Sequence, residues 1–206
     1  NALEPCLAVY FSSASQELWA PTQALRQQLR ACHEAAAVLC LKVGMRSCKD
    51  MREAKEVHWN FKDLSAADLT LLGTLCSVLP MVETLHLFES PAGAAGLHGV
   101  QRLLAGLGAR ALPAVTSLYV GSIHVGDAGA SALAAALGQG ALPRLELLNL
   151  MDAAISDVGL VALAPGLRRL PVLETLILWG NPLGDDGVAA LLAPPPPAGA
   201  LPPTTR

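Results

Sequence analysis

The chain has 206 residues, 52% of them hydrophobic and 15% charged, with a formal net charge of -3. That charge balance excludes nucleic-acid binding by bulk positive charge, and the apolar content excludes an intrinsically disordered chain. The longest apolar run, Ala35-Ala36-Ala37-Val38-Leu39-Cys40-Leu41, falls far short of the about 18–20 residues of a membrane-spanning helix, so no transmembrane segment is predicted.

Residues 1–14 show no charged segment ahead of a long apolar core, so no signal peptide is predicted. Thr22, after Pro21, is a candidate helix N-cap, and Leu25, Leu29, Cys32, Ala36 and Leu39 follow at alternating steps of four and three. This spacing predicts an amphipathic helix with Arg26, Gln27, Arg30 and Glu34 on its polar face. Alternation of Leu39, Leu41 and Val43 predicts a strand before Gly44. Lys42, Arg46, Lys49, Arg52 and Lys55 alternate with Asp50, Glu53 and Glu56, the pattern of a solvated helix face. Residues 1–53 are therefore read as an α-helical N-terminal cap, with a separate partner-binding helix as the alternative.

The five cysteines, Cys6, Cys32, Cys40, Cys48 and Cys76, are odd in number and confined to the first 76 residues. With no paired CxxC or HxxxH spacing they predict buried or half-buried free thiols rather than a disulfide framework or a zinc site. The expected setting is intracellular and reducing, cytoplasmic or, if Asn1 is a processed terminus, an organelle interior.

From residue 54 the chain repeats. Leu-Pro pairs recur at Leu79-Pro80, Leu112-Pro113, Leu142-Pro143 and Leu170-Pro171, each followed by one apolar spacing. It reads Val82-x-x-Leu85-x-Leu87, Val115-x-x-Leu118-x-Val120, Leu145-x-x-Leu148-x-Leu150 and Leu173-x-x-Leu176-x-Leu178, with a degenerate copy at Ala54-x-x-Val57-x-Trp59. The alternating end of each unit predicts a short strand. A second apolar anchor follows at Leu64, Ala92, Val125, Ile155 or Leu183. Next comes a small, acidic turn such as Gly126-Asp127-Ala128-Gly129 or Ser156-Asp157-Val158-Gly159, expected to cap the helix it opens. Ser65-Ala66-Ala67-Asp68 is a candidate capping box. The next Leu-Pro pair is expected to end each helix. One strand and one helix cannot bury their own apolar face, so five stacked units are predicted over residues 54–193, with a Pro-rich tail over 194–206.

These units, with Asn181-Pro182-Leu183-Gly184-Asp185-Asp186-Gly187 closing the last, resemble leucine-rich repeats of the ribonuclease-inhibitor type. The resemblance implies an α/β solenoid: a curved parallel sheet inside, helices outside. The buried turn asparagine of that family is matched at Asn181, while Lys62, Ser90, Ile123 and Ala153 stand at the corresponding positions.

In this register the residues alternating with buried leucines form three outward columns. The first reads Glu56, Thr84, Ser117, Leu147 and Thr175; the second reads His58, His86, Tyr119, Asn149 and Ile177; the third reads Asn60, Phe88, Gly121, Met151 and Trp179. Phe88, Tyr119, Met151, Ile177 and Trp179 are predicted as large, exposed anchors of a protein interface, with His58, His86 and Asn149 beside them. His58 and His86 are expected as ladder neighbours about 5 Å apart, with a metal or pH-sensitive pair as the alternative. No third ligand stands in their column, and no metal or other cofactor is predicted. No Walker, HExxH or GxSxG pattern is present, so the chain is read as non-catalytic.

The expected function is a scaffold that binds a protein partner, without nucleic acid, through the concave strand face. Five strands with three outward positions each supply fewer residues than the about 20–30 per side of a stable interface, so loops, the cap or a larger complex must contribute. The resemblance also admits an enzyme inhibitor, an accessory subunit of a complex, or a GTPase-activating regulator using Arg102, Arg110, Arg144, Arg168 or Arg169.

Overall fold

The structure, a computed structural model, describes residues 19–59, 64–76, 79–88 and 99–193. The chain divides into two units, residues 1–50 and 51–206. Cys6, Asn60, Lys62, Ser90, Ala92, His98 and the 194–206 tail lie outside the described residues.

In the first unit, helix α1 (Trp19–Lys42) begins three residues ahead of the expected cap at Thr22. Ala36, Leu39, Cys40 and Val43 are buried, whereas Leu25 and Cys32 are exposed, so of the stripe's described side chains Ala36 and Leu39 are the covered ones. The strand expected from Leu39, Leu41 and Val43 does not form. Burial at 36, 39, 40 and 43 follows the helical period and leaves Leu41 exposed, and Gly44 at φ 88° ends the helix. Helix α2 (Cys48–Glu53) follows, with Arg46, Lys49 and Arg52 exposed as expected. The four described cysteines are free thiols, with 3.4 Å between the sulfurs of Cys40 and Cys48; Cys32 departs from the expected burial, being exposed on the uncovered part of α1. Burial, together with Cys48, pushes the Cys40 thiol up to about 12; burial alone does the same for Cys76 in the second unit.

The second unit alternates strand and helix: β1 (Glu56–His58), α3 (Ala66–Leu75), β2 (Thr84–Phe88), α4 (Gly99–Gly106), β3 (Ser117–Gly121), α5 (Gly126–Gly138), β4 (Leu147–Asn149), α6 (Asp157–Leu167), β5 (Thr175–Ile177) and α7 (Asp185–Leu192). The five strands form one parallel sheet in chain order, and successive helices pack on one another. Its register is the one the repeat spacing predicts: Val57, Leu85, Leu118, Leu148 and Leu176 are Cα partners across the sheet. Leu85, Leu118 and Leu148 are fully buried, as are Val82, Val115, Leu145, Val120 and Leu150. The same positions in the last unit, Leu173, Leu176 and Leu178, are half-buried, because among the described residues no further strand pairs with β5.

The turn residues tie one unit to the next. Ser65 caps its own helix through the expected capping box, and the Ser156 side chain accepts the Val158 N–H. The aspartates act differently from the expectation. Asp127 accepts hydrogen bonds from the Ser156 N–H (2.8 Å), the Ser156 hydroxyl (2.7 Å) and the Gly159 N–H (3.1 Å), all in the following unit. Asp157 likewise accepts from the Gly184 and Gly187 N–H groups. Each aspartate therefore serves the helix opening one unit further on, where free N–H groups and the positive helix end meet its charge. The carboxylate also explains the glycine that closes the turns at 156–159 and 184–187. A Cβ on Gly159 or Gly187 would overlap the Oδ1 of Asp127 or Asp157.

Burial raises the Asp127 pKa, but the Ser156 and Gly159 hydrogen bonds outweigh it and hold the carboxyl below its ordinary value of 3.8. A lowered folded-state pKa means that the contribution is complete above pH 3.8 and lost as pH falls through the folded value. Asp127→Ala is expected to destabilise the fold by about 1–3 kcal/mol at neutral pH. Urea titrations at falling pH should show that deficit shrinking below pH 3.8, with an unchanging gap between variant and parent contradicting the assignment.

The Leu-Pro pairs do not terminate the helices. Helix α5 stops at Gly138, where Gly140 at φ 85° closes the end and the Ala141 N–H reaches back to the Ala136 carbonyl. Leu112 and Leu142 instead take left-handed φ values of 52° and 54° with their side chains buried. Their N–H groups bond the Cys76 and Ala111 carbonyls of the preceding unit. The pair thus marks where the chain turns from helix into the next strand.

Candidate protein-binding face

One face of the sheet carries the buried leucines; the other carries the columns that alternate with them. Strand pairing places His58 beside His86, His86 beside Tyr119, Tyr119 beside Asn149, and Asn149 beside Ile177. The first three form a stack. The His58 and His86 ring centroids lie 4.4 Å apart at 20°, and those of His86 and Tyr119 lie 4.4 Å apart at 3°. Phe88 adds a tilted contact to His86 at 6.3 Å. The strand spacing of about 4.8 Å sets this period, and flat rings at facing positions satisfy it by stacking.

Asn149 is corrected from the expectation. At 6% exposure it is buried, with its Oδ1 accepting the Met151 N–H and its amide nitrogen 3.7 Å from the Met151 sulfur. A polar side chain on a short strand reaches its own backbone two residues on, so it shapes the loop rather than the surface. Phe88 and Met151 are half-buried because they close over Gly121 between them: a Cβ on Gly121 would lie 2.7 Å from each side chain. Tyr119 and Ile177 are also half-buried, and His58 is exposed. Trp179, two residues beyond Ile177, is 61% exposed and enters no ring stack among the described residues. The face is therefore graded, with a packed aromatic stack over β1–β3 and an open tryptophan beyond β5.

Glu56 is the residue that column-by-column reasoning left aside. Its Oε1 lies 3.0 Å from the His58 Nε2 and 3.5 Å from the His86 Nε2. The signal was present: residues 56 and 58 of one strand share a face, so the carboxylate stands next to the histidine column. Burial and the His58 ring lower the His86 pKa from its ordinary 6.5, and Glu56 offsets part of that shift.

The architecture is that of an α/β protein built from strand–helix repeats on one parallel sheet. The leucine-rich repeat family model matches residues 143–164 and 169–192, and the parallel sheet with its helices fits that fold. No curated protein matches the chain. No helix among the described residues is long and apolar enough to cross a membrane.

Proposed function

We propose that the chain is a non-catalytic scaffold that holds a protein partner on the concave face of a curved, ribonuclease-inhibitor-like repeat array in a reducing compartment. Leucine-rich repeats support an interaction module as the general role. The observation that carries the choice of face is Trp179. A large aromatic ring at 61% exposure, in line with half-buried Met151 and Phe88, is the kind of anchor that dominates protein interfaces. Among the described residues, helices α6 and α7 expose smaller, aliphatic side chains, Val158, Val161, Val188 and Leu192, and no aromatic ring.

A photo-crosslinking residue at Thr175, exposed on the strand face, is compared with one at Val161, exposed on helix α6. The strand-face probe is expected to capture the partner and the helix probe to miss it. Trp179→Ala should weaken capture from Thr175 about fivefold or more, with the thermal midpoint unchanged. Capture from Val161 alone, or full binding by a folded Trp179→Ala variant, would show the reading of this face to be wrong.

A further inference from the structure

We propose that Glu56, His58 and His86 form a binding site for a divalent transition-metal ion, with zinc as the fitting ion, on the strand face of the first two repeat units. The donor atoms of the three side chains lie within 4.8 Å of one another. A tetrahedral zinc ion with ligands at about 2.0–2.2 Å separates neighbouring donor atoms by about 3.3 Å. The two distances from the Glu56 Oε1, 3.0 Å to His58 and 3.5 Å to His86, bracket that edge. Parallel pairing of β1 with β2 sets the two histidines side by side, and the two-residue strand period brings Glu56 onto their face. The arrangement is thus a product of backbone register and does not depend on a flexible loop.

Donor chemistry selects the ion. Two imidazoles and one carboxylate suit zinc, copper or nickel, whereas calcium and magnesium favour sets made of oxygen alone. Three protein ligands leave one position of a tetrahedral ion open to water or to a group from outside. The solvent side supplies that access, because the His58 and Glu56 side chains are 54% and 58% exposed. His86 is the fixed member, at 19% side-chain exposure and stacked on Tyr119. Ligation requires the two histidine rings to splay from their 20° stack until both Nε2 lone pairs converge, and exposed His58 has the freedom to make that movement.

The test is isothermal titration of the full chain with zinc chloride under thiol-reducing conditions, using Cys40→Ser/Cys48→Ser protein in parallel because those two sulfurs also lie close together. One ion per chain is expected in both proteins. His58→Ala, His86→Ala and Glu56→Gln should each weaken binding at least about tenfold, since even outer-sphere partners of metal sites have effects of that size. Circular dichroism is expected to show all three variants folded. Cobalt(II) should give the intense visible absorption of a four-coordinate ion in the parent and lose it in His86→Ala. No stoichiometric zinc binding up to about 1 mM, a threshold at the weak limit of specific affinity, would overturn the site. So would binding unchanged in both histidine variants, or binding lost with the two cysteines. Because the probe is the metal alone, this result is independent of whether the strand face holds a protein partner.

Discussion

Leu148→Ala is expected to destabilise the repeat unit by about 3–5 kcal/mol, the range for emptying a fully enclosed leucine site. Leu148 has no exposed surface and sits on an interior strand of the sheet, paired with Leu118 on one side and Leu176 on the other. Deleting its side chain removes a layer shared by three units, and backbone hydrogen bonds on both flanks of the strand hinder collapse into the void. Leu176→Ala, one strand further on, is the internal comparison. Leu176 is half-buried at the sheet edge, so the same truncation removes less covered surface and should cost about 1–2 kcal/mol. Denaturant titration of both variants measures the contrast. Equal losses would contradict the difference in burial between the two leucines.

That gradient was only partly legible in the chain itself. Identical spacing at Leu145-x-x-Leu148-x-Leu150 and Leu173-x-x-Leu176-x-Leu178 predicts both strands and their register, and both are found. Spacing does not say which unit is the last with a covered face, so burial differs where the pattern does not. The N-terminal segment shows the opposite difficulty. Leu39, Leu41 and Val43 satisfy a strand alternation and a helix continuation equally well over five residues, and only burial at Ala36, Leu39, Cys40 and Val43 separates the two. On the candidate face, the columns placed His58, His86 and Tyr119 correctly as neighbours. Two things escaped them. Side chains that fold onto their own backbone, as Asn149 does, leave the surface without any change of register. Contacts between columns, as from Glu56 to the histidines, are invisible when each column is read alone. The aspartate turns failed for a related reason: local capping rules look within one helix, whereas Asp127 and Asp157 find their donors in the next unit.

The turn asparagine carries the second large effect. Asn181→Ala is expected to destabilise the fold by about 2–4 kcal/mol, since it removes four hydrogen bonds worth roughly 0.5–1.5 kcal/mol each and partial exposure softens the upper end. The Asn181 Oδ1 accepts the N–H groups of Ala153 (3.1 Å) and Ile155 (2.9 Å), while its amide nitrogen donates to the carbonyls of Leu150 (2.7 Å) and Leu178 (2.8 Å). Two donors on one side and two acceptors on the other fix the orientation of the amide and explain why no other side chain serves the position equally. The preceding unit has Ala153 at the corresponding position and manages without the amide by another route. There the Ala153 carbonyl accepts the N–H groups of Val125 and Gly126, so backbone replaces side chain in joining the neighbouring turns. The Asn181 carbonyl instead accepts the Leu183 N–H of its own turn, so the Ala153 and Ile155 N–H groups depend on the Asn181 side chain. Asn181→Asp separates the two halves of the interaction. It keeps the acceptor for Ala153 and Ile155 but sets a negative oxygen against the Leu150 and Leu178 carbonyls, and is expected to be at least as destabilising as alanine. Denaturant midpoints near neutral pH rank the three proteins, and an aspartate variant close to the parent would show that the two donated bonds contribute little to the turn.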